Sequence, residues 1–103
     1  MAHLNWTDQS IIDFINIADF ISKDSVRYAK TTVKRIRESA KHLNKYPYSG
    51  RMVPEIQIEN LRELIIGNYR LIYFINLTER IDIITVHHSA KRLDTDELIN
   101  IVS

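Results

Sequence analysis

The chain has 103 residues, 45% hydrophobic and 26% charged, the balance of a single globular domain over 1–103 and not of a fibre or a disordered tail. It has no cysteine, which excludes disulfides, thiolate metal sites and cysteine nucleophiles, and no apolar run approaches the ~20 residues of a membrane span. The net charge of +1 is uneven: residues 23–45 carry eight Lys/Arg and two acids, the remainder six and eleven, so one segment can attract polyanions or an acidic partner, or form a solvated helix face.

The opening MAHLNWTDQS lacks the basic and apolar regions of a signal peptide, which fits a cytoplasmic protein. Residues 3–6 read as a short first strand. Thr7 or Asp8 caps a helix with an apolar stripe of Ile11, Ile12, Phe14, Ile15, Ala18 and Ile21. Residues 22–25 break it. A longer helix follows, with Val26, Ala29, Val33, Ile36, Ala40 and Leu43 spaced alternately by three and four. It is too short for a free coiled coil and reads as half of a helical hairpin. Asn44 and Pro47 end it.

Residues 46–57 contain both prolines and Gly50, and read as the longest loop. Strands are expected over 61–66, 69–75 and 81–87. Gly67 and Asn68 form the first hairpin turn, both tolerating positive φ. Residues 76–80 form the second turn. Asp94 or Thr95 caps a short last helix over 96–102. The fold class is therefore α+β: an N-terminal helical hairpin packed on a small, mainly antiparallel sheet, with a short C-terminal helix. The sheet face away from the hairpin is expected to be open and to carry the function.

The ordered set Pro47-x-x-Gly50-Arg51-x-Val53-Pro54-Glu55, Leu61-Arg62-Glu63-Leu64, Tyr69-Arg70-Leu71-Ile72-Tyr73 and Val86-His87-His88-Ser89-Ala90-Lys91-Arg92-Leu93 resembles the RelE/ParE superfamily of bacterial type II toxins. The resemblance runs from Trp6 to Leu93. It implies a toxin neutralised by a cognate antitoxin from a neighbouring gene. It also implies one of two activities. RelE-like and YoeB-like members cut mRNA on the ribosome, whereas ParE-like members block DNA gyrase without catalysis. Metal-independent mRNA cleavage is taken first. Gyrase inhibition, or a non-toxic member acting only by protein binding, is the alternative. No cofactor is expected, and no histidine spacing forms a metal site.

Metal-free RNA cleavage needs a base for the 2′-OH, an acid for the leaving oxygen and cations for the phosphorane. Arg70 interrupts an apolar strand and must reach a partner or an open face. It matches the arginine that contacts the reacting phosphate in the nuclease members, or it pairs with Glu63. In the first case Arg70→Ala removes activity and spares the fold; in the second it damages the fold. Glu55 resembles the carboxylate base of YoeB-like members, and His88 the histidine of the family's last strand. Arg51, Arg62, Lys91 and Arg92 are candidate substrate-binding cations. Tyr69 and Tyr73 read as sheet packing. Strict alternation along 81–88 puts Ile81, Ile83, Thr85 and His87 on one face and Asp82, Ile84, Val86 and His88 on the other. A β-bulge near Thr85 reverses that assignment.

Overall fold

The computed structural model describes residues 3–77 and 80–102. Strand β1 (His3–Trp6) leads into helices α1 (Asp8–Ser22) and α2 (Val26–His42). Strands β2 (Arg51–Met52), β3 (Leu61–Ile66), β4 (Tyr69–Leu77) and β5 (Arg80–His88) follow, and helix α3 (Thr95–Val102) comes last. Each helix starts at a polar cap. Thr7 Oγ1 accepts from the Ser10 amide at 3.2 Å, Ser25 Oγ from Tyr28 at 3.0 Å, and Asp94 Oδ1 from Glu97 at 3.1 Å. These oxygens satisfy amides that no helical carbonyl reaches.

The strands form one mixed sheet in the order β1-β5-β4-β3-β2. β1 is parallel to β5, and the other neighbours are antiparallel. This is the α+β class expected. Part of the turn expected over 76–80, residues 78 and 79, lies outside the described residues. In the β3–β4 turn Gly67 takes a positive φ of 59° while Asn68 does not. The expected loop over 46–57 also contains β2, whose two residues pair with Arg62 and Glu63.

One sheet face packs against the hairpin through Ile36, Ala40, Leu43, Leu71, Tyr73, Ile81, Ile83 and Val86. The expected stripe of α1 is only partly used. Ile21 is buried and Phe14 packs at the margin, but Ile11, Ile12 and Ile15 are exposed. The opposite face is not the open surface anticipated. Leu98 of α3 and Val53 of the preceding loop cover Leu61, Ile72 and Ile84, with Leu93, Val102, Ile56 and Ile58 around them. Nonpolar side chains on both faces of β4 and β5 require cover on both sides.

A bulge decides which side chains of β5 face which way. Ile72 lies opposite Thr85, but Tyr73 lies opposite Ile83, leaving Ile84 as the extra residue. Before it, Ile81 and Ile83 face the hairpin. After it, Val86 faces the hairpin too, and Ile84 joins the second core. His87 then lies opposite Arg70, and His88 opposite Tyr69. The alternation expected for the two histidines is therefore reversed, because one inserted residue flips every later side chain.

Beyond the end of β1, β5 has no strand on that edge among the described residues, and α1 supplies the missing acceptor. Asp13 Oδ2 accepts from the Thr85 hydroxyl and, at 3.3 Å, from the Val86 amide. The long loop is stitched down at Tyr73, which is fully buried. Its hydroxyl donates to Pro47 O at 2.7 Å and accepts from the Gly50 amide at 3.0 Å. A Cβ on Gly50 would lie 2.5 Å from Glu63 O and 2.6 Å from Tyr73 Oη. Gly50→Ala should therefore lower stability by about 1–3 kcal/mol through overpacking, seen as a lower denaturation midpoint. An unchanged midpoint would show that the loop yields without cost.

Candidate functional site

The second sheet face carries a compact charge cluster at the β2–β3–β4 end. Glu63 is its hub, with a side chain wholly shielded from solvent. Register explains the grouping, because Arg51 lies opposite Glu63 and strand periodicity brings Ile65, Arg70 and His87 to the same side. Arg51 Nε donates to Glu63 Oε2 at 2.7 Å. Arg70 Nε donates to Glu63 Oε1 at 2.9 Å, and its Nη2 donates to the same oxygen.

Arg70 also grips Glu55 with both terminal nitrogens, Nη1 to Oε2 at 2.8 Å and Nη2 to Oε1 at 3.0 Å. The loop turn presents Glu55 for this contact. Gln57 N bonds Val53 O at 2.8 Å, with Gln57 at a positive φ of 59°, and buried Val53 anchors the turn. The hydrogen bonds from Arg70 hold the Glu55 carboxyl below its usual range, against the opposing effect of burial. Glu55 in turn makes the Arg70 guanidinium harder to deprotonate. Two cations face two carboxylates, so the cluster has no net charge.

Of the candidates drawn from the sequence, the structure brings together Arg51, Glu55, Glu63 and Arg70, and adds His87 in place of His88. His87 is half-buried beside Arg70, and its Nε2 has no hydrogen-bond partner. Burial first, then the charges of Arg70 and Lys91, push its pKa below the usual imidazole value. His88 is exposed and sits edge-on to Tyr69, with ring centroids 5.7 Å apart; its Nδ1 accepts from the Ala90 amide. It does not join the cluster. Arg62 lies on the other face, opposite Tyr73. There it ties the loop, donating to Glu59 O at 2.8 Å and Gly50 O at 3.1 Å beneath the Tyr48 ring.

Lys91 and Arg92 are exposed and line, with His87, Asp13 and Glu97, a cavity of about 180 Å³ between α1, β5 and α3. Neither forms an ion pair among the described residues, and neither belongs to the Arg70 cluster. Nor does any group of three His, Asp or Glu among those residues stand close enough to share a metal ion. Sequence reading considered Glu63 only as a partner for Arg70 and overlooked its role as the hub. Asp13 carries no signal in the sequence, because nothing local shows that a helix carboxylate will cap a distant strand edge.

Arg70 forms the ion pair with Glu63 that the sequence offered as the alternative to a phosphate contact. Arg70→Met should cost about 3–5 kcal/mol by stranding the buried Glu63 carboxylate, while Arg70→Met with Glu63→Leu should recover part of that loss. Urea denaturation of the three proteins measures this. A single variant as stable as the parent would remove the argument. Titration provides a second check. The folded-state pKa of His87 is depressed, so its stability contribution is present above the unfolded value of about 6.5 and is lost as pH falls below it. Glu55 acts in a separate window, with stability lost as pH falls below about 4.5. His87→Gln should therefore flatten the decline in denaturation midpoint just below pH 6.5 and leave the more acidic limb intact.

The family model for the ParE toxin of the type II toxin–antitoxin system, parDE, matches residues 4–93. No curated protein matches the chain. A solved structure described as the chromosomal ParDE TA system from P. aeruginosa is similar with a TM-score of 0.69. The two are 21% identical over 85% of this chain and 96% of that one, a likeness of fold. The motifs from Trp6 to Leu93, the fold and the family match agree: the chain belongs to the ParE toxin family of type II toxin–antitoxin systems.

Proposed function

We propose that this toxin inhibits growth by binding DNA gyrase, as ParE-like toxins do, and not by cutting mRNA. The observation that carries the reading is the saturation of Arg70, which is 7% exposed and hydrogen-bonded to two carboxylates. A cation that stabilises a phosphorane must present free donors to it. Here the family's phosphate-contacting position is neutralised from within. Glu55, the base candidate, commits both oxygens to Arg70 and has a lowered pKa, which weakens it as a base. His88, the other proton-transfer candidate, is turned to the opposite side of the sheet.

The nuclease reading keeps one observation in its favour. His87, with an unpartnered ring nitrogen beside Arg70, is the proton carrier that reading would have to use. Ribosome-dependent cleavage would also require Glu55 to release Arg70.

The family pairs its toxins with antitoxins, and an apolar groove offers a seat for one. Leu4, Trp6, Ile11, Phe14 and Ile15 line it, Arg37 and Lys41 rim it, and its volume is about 510 Å³. An amphipathic antitoxin segment would place its apolar side in the groove and its acids against the two cations. The sheet face away from the hairpin offers an antitoxin less room, since α3 and the loop already cover much of it.

Expression in bacteria, followed by a gyrase supercoiling assay and mapping of mRNA 5′ ends, separates the activities. Inhibited supercoiling without new 5′ ends is expected, with His88→Gln as toxic as the parent. New 5′ ends that disappear in His87→Gln would establish the nuclease instead.

A further inference from the structure

The outward face of α2 carries a row of cations of which the apolar groove uses only the last two, Arg37 and Lys41, at its rim. Arg27, Lys30, Lys34, Arg37 and Lys41 recur every three or four residues along the helix. At 100° per residue they fall within an arc of about 80°, and at 1.5 Å per residue they extend about 21 Å. All five are exposed, whereas the buried residues Ala29, Thr32, Ile36 and Ala40 occupy the other side. Among the described residues none of the five forms an ion pair. Glu38 is the one acid of α2, and it lies beside the row. Five unneutralised like charges in a line repel one another, a cost that a line of fixed anions would reverse.

We infer that this ridge binds the phosphate backbone of duplex DNA. The row spans about six base-pair steps at the 3.4 Å rise of one strand. Three of the five cations are lysines, which are depleted in protein–protein interfaces but serve as point charges for phosphate. Its apolar neighbours are Val26 and the partly buried Val33, small side chains and not the large aromatic anchors typical of a folded protein partner. It is convex and helical, which suits the wide major groove of B-form DNA better than the deep, narrow groove of duplex RNA. The contact is with backbone, so it carries charge and register but no sequence preference. It goes beyond the gyrase reading and stands independently of it.

The test is fluorescence anisotropy of a labelled DNA duplex with the full chain across a salt series. Five neutralised phosphates give a log–log slope of about −4.5, a loss of about 500-fold in affinity from 50 to 200 mM salt. Arg27→Gln, Lys30→Gln and Lys34→Gln together leave two cations of the row and should bring the slope to about −2. These surface changes avoid the groove rim, and circular dichroism verifies the fold of the variant. Four outcomes overturn the inference: no binding at 50 mM salt, an unchanged slope in the folded variant, displacement of DNA by poly-glutamate of equal charge at equal concentration, or duplex RNA bound as tightly as DNA. The poly-glutamate result would assign the ridge to an acidic protein segment.

Discussion

The structure around the candidate site depends on one buried carboxylate. Glu63 has no solvent access, and a lone carboxylate there would be prohibitively costly. Its oxygens are taken by Arg51 and Arg70. Arg70 has donors left over, and these hold Glu55. The chain of pairs thus runs from the edge strand β2 through β3 to β4 and back to the loop. It gives a reason for a two-residue strand inside a segment rich in proline: Arg51 can reach Glu63 only where β2 pairs with β3.

The same cluster bears on function. Arg70 is the residue that the sequence resemblance assigned to phosphate contact, but its fork is closed by internal carboxylates. Buried ion pairs contribute little net stability against apolar replacements, while the loss of one partner is severe. The cluster therefore constrains conformation and silences charge. An enzyme handling a phosphorane and a protein that only binds another protein make opposite demands on such an arginine.

A second constraint is the extra residue at Ile84. It exchanges the positions of His87 and His88 relative to Arg70. Past Ile83, where β1 ends, Asp13 closes the exposed edge of β5. The facing of the end of β5 and the environment of its two histidines both follow from that insertion. Above the second face α3 completes a small core through Leu98, although the family match ends at residue 93.

Much was legible in the sequence by itself. The period of three and four in α2, the alternation and turn chemistry of the strands, and the cap residues Thr7, Ser25 and Asp94 act locally and specify elements one at a time. The charged and turn motifs from Pro47 to Leu93 carried the family. The pairing of Arg70 with Glu63 was also open to sequence reading, since a lone charge in an apolar strand requires a partner. Only the tertiary structure decided the rest. A bulge is a relation between two strands, so no pattern within 81–88 announces which histidine will stand beside Arg70. Cover for the second face comes from α3 and residues 53–58, which lie in the chain on opposite sides of the strands they meet. Whether Glu55 is a free base or the clamp on an arginine depends on a turn that brings a loop carboxylate across the sheet, and that is settled by packing, not by spacing.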